Sequence, residues 1–226
     1  MIPLRIKLAY TSFVCVLVPT YWVVRGPVNF LWGSDLALLI TMVALWSENC
    51  LLASMMALAT LLPESTWIVD LLLRALGVAE LLGPRGTSYM FDPGSPLFVR
   101  GLSLFHVGLP VVVIWLVWRL GYDRRAWAAQ TALAWIVLPL TYLVTLPARN
   151  INLVFGIGDA PQTWMPGPIY VACVMLFFSF GVYLPTHLVL LRIFDPTRGT
   201  PPANHRRHQP SASSSAQGPR SCPRSG

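Results

Sequence analysis

Apolar residues in this chain arrive in long blocks, following neither the 3.6-residue period of a helix lying on a soluble core nor the alternation of a half-buried strand. The blocks cover residues 8–24, 30–46, 46–62, 97–120, 126–146 and 168–193. Lipid rewards uninterrupted apolar surface and satisfies no backbone polar group, so such blocks fold as membrane-spanning helices. A membrane barrel is excluded because its strands would change character at every second residue. Composition agrees. Hydrophobic residues make up 55% of the 226 residues and charged ones 11%, against roughly 25% charged in a soluble domain. The block 46–62 reaches ~25 Å at a ~1.5 Å rise per residue, enough for a thin bilayer core.

Residues 66–82 differ in kind. Asp70, Arg74, Gly77 and Glu80 fall on one arc of a helix, with leucines around the rest. Asp70 and Arg74 are four apart and can pair. With Pro63 and Glu64 ending the preceding block, the pattern predicts an amphipathic helix lying at the membrane interface or packed against the bundle, rather than a span. The expected fold is therefore all-α, a polytopic bundle of six transmembrane helices plus one interfacial helix, occupying residues 1–195. The first block lacks a small-x-small cleavage site and reads as a retained helix. From residue 196 to 226 the chain turns to Pro, Ser, Arg and His. A tail of that composition has little to bury, so a disordered cytoplasmic segment is expected.

The formal net charge of +7 raises the possibility of a nucleic-acid partner, but the distribution opposes it. Eleven of the sixteen basic residues sit at the two ends and in the turn from Arg119 to Arg125. That is the positive-inside pattern of a membrane protein, with no basic face interleaved with aromatics. Six spans place both termini and that turn on the cytoplasmic side together, and the loops 63–96 and 147–167 on the outer side. The expected residence is a bacterial inner membrane, with membrane lipid as the partner and no nucleic acid.

Cys15, Cys50, Cys173 and Cys222 show no CxxC or metal-ligand spacing, so neither a zinc site nor a disulfide framework is supported. Gly156, Gly158 and Asp159 form no phosphate loop, and no metal or cofactor is expected. Trp22, Trp32, Trp46, Trp67, Trp118 and Trp164 fall near predicted helix ends and read as an interfacial belt.

Candidate chemistry rests on ionisable residues inside the apolar blocks. Asp35 lies about five residues from one end of its block, roughly 8 Å deep, and His106 nine residues from an end on the same side, roughly 14 Å deep. Charges at such depth face a protein interior or a wet cavity, often at a functional site. Ser34 precedes Asp35 and points about 100° away from it. Arg100 and Ser103 stand above His106 at three-residue steps, a polar stripe towards the outer surface. A histidine beside a serine can activate the hydroxyl as a nucleophile, whereas one beside an aspartate is oriented or kept protonated by it. The same residues can also simply fix helix packing. His187 reads as structural, and His205 and His208 as part of a soft anionic-lipid contact.

Ser-Asp-Leu-Ala at 34–37, Pro-Glu at 63–64, His106 ahead of Gly-Leu-Pro, and Asn-Ile-Asn-Leu-Val-Phe-Gly at 150–156 occur in a recognisable order. That order resembles the YwaF-type integral-membrane family over about residues 29–191. There a Cys-Asp-Leu-Ala-like motif, a membrane histidine and an Asn-x-Asn-Tyr-like motif follow one another. Eukaryotic relatives of that group are regarded as lipid acyltransferases using the cysteine and the histidine. The resemblance implies that Ser34 replaces the cysteine and that His106 matches the histidine, while Leu153 replaces the expected tyrosine.

The leading expectation is a membrane-embedded enzyme acting on a lipid acyl substrate by transfer or hydrolysis. Ser34 is its nucleophile, His106 its general base, and Asp35 or Asn152 an orienting or oxyanion-stabilising group. Arg100, Asn150 and Asn152 are the candidate substrate contacts. The alternatives are a proton-coupled transporter of a small solute, with Asp35 and His106 carrying the proton, and a non-catalytic membrane scaffold.

Overall fold

The computed structural model of the protein describes residues 1–78, 81, 86–158 and 160–194. The expectations for the 196–226 tail, including His205 and His208, and for Glu80 and Asp159 lie outside the described residues. Among those described, every regular element is helical. Helix α1 spans Leu4–Arg25, α2 spans Gly33–Ser47 after a 3-10 turn at Pro27–Leu31, and α3 spans Cys50–Ala75. Helices α4 (Leu97–Ser103) and α5 (Phe105–Leu120) form one apolar rod broken at Leu104, and α6 spans Ala126–Val144. The last rod joins α7 (Gly167–Leu176) to α8 (Leu184–Ile193) through a π-helical stretch, Phe177–Tyr183.

Five of these rods are long and apolar enough to cross a membrane. The sixth, α2, has 15 residues, or about 22 Å at helical rise. The protein is thus an all-α bundle of the multi-pass membrane type. Its outward surface fits that setting: Val23, Val111, Ile136, Leu143 and Phe177, from four of the rods, are each at least 60% exposed. A soluble monomer rarely shows so much contiguous apolar surface.

Helix α3 is the central post and packs chiefly against α5, α2 and α6. Small buried residues on it, Ala53, Ser54, Ala57 and Thr60, let neighbouring backbones approach closely. Asn49 caps its start, its Oδ1 accepting from Leu52 N at 3.0 Å.

The interfacial helix expected over 66–82 is corrected. Residues 66–75 are the last turns of α3, which continues through Pro63 without ending. Proline removes one helical hydrogen bond, but packing within a bundle tolerates that loss. Of the polar arc seen in the sequence, Asp70 and Arg74 face protein. Asp70 is fully buried and accepts from Arg74 Nε at 3.2 Å, Thr87 N at 2.8 Å and Thr87 Oγ1 at 2.7 Å. Val69, Leu72 and Leu76 point outward instead. The arc therefore anchors the 86–90 segment to α3.

One end of the bundle gathers most of the cations. The terminal amine and Lys7 both approach Glu48, Lys7 at 2.9 Å, and Arg119 donates to the Met1 carbonyl. Asp123 takes Arg125 at 2.8 Å, and its backbone N–H donates to Ser54 Oγ at 2.9 Å. The Lys7 ammonium holds the Glu48 carboxyl below its usual range, and the Arg125 guanidinium does the same for Asp123. Burial pushes the Tyr122 phenol up, and its hydroxyl lies 2.6 Å from His187 Nδ1.

Candidate functional site

His106 enters the bundle on the second residue of α5, just beyond the break at Leu104. Pro110, four residues on, lacks the N–H that would bond the His106 carbonyl, so the helix is loosened at the histidine. The imidazole stacks on Trp67 of α3, ring centroids 4.5 Å apart, and on its neighbour Phe105 at 4.1 Å. Its Nδ1 lies 2.6 Å from Oε2 of Glu64, which is 3% exposed. Glu64 and Trp67 stand three residues apart on α3 and so share the face that meets α5. A carboxylate that accepts from Nδ1–H leaves the Nε2 lone pair free, and Nε2 meets no hydrogen-bonding group among the described residues.

Asp35 sits on the first turn of α2, 4% exposed. Its Oδ2 accepts from Asn29 Nδ2 at 2.9 Å, while Oδ1 is shut from solvent with no partner. It lies within electrostatic range of His106, Arg25 and Glu64. Beside this group, Tyr21 and the buried Ser103 share a hydrogen bond of 2.7 Å. The structure thus assembles two carboxylates and an imidazole from α2, α3 and α5, enclosed by aromatic rings.

Other residues singled out in the sequence are placed differently. Ser34 is half-buried in the first turn of α2 and makes no hydrogen bond to His106. The Nδ1 edge of the imidazole is taken by Glu64 instead. Arg100 donates from Nη1 to the Met90 carbonyl at 3.0 Å, and its Nε is enclosed without an acceptor.

Asn150 and Asn152 have their amides engaged in the fold. Asn150 donates to the Gly156 carbonyl and accepts from Phe155 N. Asn152 accepts from Gly33 N at 2.9 Å and donates to the Leu31 carbonyl at 2.7 Å, closing the start of α2. These bonds hold a strained turn in which Asn150, Asn152 and Leu153 all have positive φ.

Sequence reasoning missed Glu64 and Trp67. In the sequence Glu64 reads as a span terminator and Trp67 as part of the belt, yet Trp67 is 9% exposed and covers the histidine. The available signal was that leucines continue past Pro63-Glu64, so the carboxylate lay inside an apolar helix. Elsewhere, a groove of about 260 Å³ between α6 and α7, lined by Pro139, Tyr142, Leu143, Val171 and Met175, carries no acid or base beyond the tyrosine. No group of three or more His, Cys, Asp and Glu side chains among the described residues is placed to hold a metal.

Fold and site together define a helical, multi-pass membrane-type protein with a buried carboxylate–imidazole cluster. No family model, no curated protein and no solved structure matches the chain.

Proposed function

We propose that the chain crosses the bilayer six times with both ends cytoplasmic, in a bacterial inner membrane. We also propose that the Glu64–His106 pair is the acid–base centre of an enzyme that hydrolyses or transfers lipid acyl groups. The observation that carries this reading is the 2.6 Å contact between Glu64 and Nδ1 of a histidine whose Nε2 is unengaged. An oriented imidazole of this kind takes a proton from an attacking hydroxyl and returns it to the leaving alkoxide. Glu64 supports the imidazolium between the two steps. A lipid substrate needs only a lateral opening and a polar pocket near the headgroups, and the YwaF-type resemblance points to the same chemistry.

The nucleophile in this reading is a water or an acceptor hydroxyl brought with the substrate, because Ser34 makes no hydrogen bond to His106. Ser34 as a covalent nucleophile is the competing form. It requires α2 to bring the hydroxyl to Nε2 when substrate binds.

A second reading, proton-coupled transport of a small solute, is favoured by one observation. Asp35 keeps an unpartnered, enclosed oxygen within electrostatic range of His106 and Glu64. Intramembrane acid groups of that kind serve proton relays.

Reconstituted protein supplied with a radiolabelled phospholipid separates the readings. Acyl release or transfer that His106→Gln lowers at least ~100-fold, on the scale of general-base catalysis, and that Asp35→Asn leaves within ~10-fold, supports the enzyme. Absence of any acyl turnover, together with a pH-gradient-driven flux that Asp35→Asn abolishes, supports the transporter. If both variants change thermal stability alone, the cluster is a helix-packing device.

A further inference from the structure

Two arginines meet at the Asp35 end of the bundle without a carboxylate to neutralise them. Arg25 closes α1, and its guanidinium carbon lies 5.0 Å from the Tyr21 ring centroid and 4.8 Å from that of Tyr89. Stacking between aromatic faces fixes the plane of the guanidinium. Its Nε is enclosed and has no acceptor. Arg149 comes to the same place from the 144–150 segment, its Nη1 donating to the Arg25 carbonyl at 2.6 Å. A Cβ built on Gly26 would stand 3.9 Å from both terminal nitrogens of Arg149.

Neither arginine forms an ion pair among the described residues, whereas Lys7, Arg74 and Arg125 each do. The acid nearest in effect is Asp35, which feels Arg25 at electrostatic range without bonding it. Arg25, held flat between two rings, and Arg149, bonded to the carbonyl that ends the same helix, are two cations at one end of α1 that suit an anion with several acceptor oxygens.

We propose that Arg25 and Arg149 form a receptor for a phosphate group, and that the ligand is the headgroup of an anionic phospholipid. This deepens the acyl-lipid reading and rests on it for the link to chemistry. The bound phosphate would hold a glycerolipid at the end of α1 and beside Asp35, with the acyl ester directed towards His106. Arg25 and Arg149 are positioning residues in this arrangement, since neither bonds a member of the Glu64–His106 pair.

The test is thermal unfolding of the detergent-solubilised full chain in a neutral detergent. Three probes are added in turn: dihexanoyl phosphatidylglycerol, dihexanoyl phosphatidylcholine and inorganic phosphate. The expected result is a rise in Tm with the phosphatidylglycerol that exceeds the rise with phosphatidylcholine, is lost in Arg25→Gln and is reduced in Arg25→Lys, which keeps the charge but not the fork. Should Arg25→Gln fail to fold, Arg149→Gln supplies the comparison and is expected to shrink the same shift. A rise with inorganic phosphate equal to that with the lipid keeps the phosphate receptor and removes the lipid from it.

Equal shifts from the two lipids, or an unchanged phosphatidylglycerol shift in both arginine variants, overturn the proposal. Because the readout is binding, it also separates the two ideas. A shift that survives in a protein lacking His106-dependent acyl turnover leaves the receptor standing, whereas turnover without the shift removes the receptor alone.

Discussion

The two ends of the bundle each hold a histidine and treat it in opposite ways. At the basic end His187 meets a phenol, Tyr122, at 2.6 Å, and the carboxylates nearby, Glu48 and Asp123, already belong to Lys7 and Arg125. At the other end His106 meets a carboxylate, Glu64, also at 2.6 Å, with an incompletely bonded Asp35 in range. Equal lengths conceal different chemistry. A phenol fixes the plane of a ring, whereas a carboxylate also fixes which ring nitrogen carries the proton. Charges paired one to one hold helices together. A charge group left short of partners is held for something else.

The sharpest break of this comparison lies in Glu64. Glu64→Gln keeps a hydrogen-bonding side chain but removes the charge, and it is expected to lower acyl turnover by ~100-fold or more, within the range of an oriented base. Its double mutant with His106→Gln should be no slower than the worse single variant, because residues that act as a unit do not add their losses. Additive losses in the rate assay would mean the two residues act separately. Ser34→Ala should retain turnover within ~10-fold if water or an acceptor hydroxyl is the attacking group, and losses on the scale of His106→Gln would restore the covalent serine.

Asp70→Ala tests the roof of the site. It removes the acceptor for three donors, and leaving buried donors unsatisfied costs ~1–3 kcal/mol. Limited proteolysis should then open the chain near Thr87, where the wild type resists. On the basic side His187→Gln is the control for His106. It should cost about 0.6 kcal/mol, typical of an interhelical hydrogen bond in a membrane protein, and leave turnover untouched.

The smallest effect is that of pH at Glu48. Its carboxyl is depressed in the folded chain by Lys7, so its contribution is fully present above the ordinary glutamate pKa of ~4.3 and is lost as the pH falls below it. Glu48→Gln should lower stability slightly at neutral pH, where the ion pair is intact, and flatten the acidic part of the stability–pH curve.

How far the sequence reached can be read from α3. Its apolar block is legible from composition, because lipid imposes an apolar pattern on every spanning helix. The continuation past Pro63 is not. Proline and glutamate in succession are strong stop signals for a helix in water, and only the neighbouring α5 makes them compatible with a buried span. The same blindness hid the site. His106 and Asp35 stood out as isolated polar residues, but a pair is a property of two helices, and Glu64 became visible only when α3 was laid against α5.

Asn152 shows a second side of the difficulty. It carried the look of a catalytic amide, yet both ends of that amide close the first turn of α2 and the preceding loop. Residues that finish a strained turn and residues that bind a substrate are drawn from the same polar set, and spacing alone does not separate them.

The central claim is that Glu64 holds His106 with its proton on Nδ1 and its lone pair on Nε2. Nitrogen-15 NMR of the imidazole, in protein labelled at histidine and reconstituted in lipid bilayers, measures this without knowledge of the substrate; His106→Gln assigns the signals. The account predicts a neutral ring protonated at Nδ1 and bare at Nε2, with the tautomers mixing once Glu64 becomes Gln. A wild-type ring protonated at Nε2, with Nδ1 accepting a proton from Glu64, would contradict it, since the atom that should act as the base would already be carrying the proton.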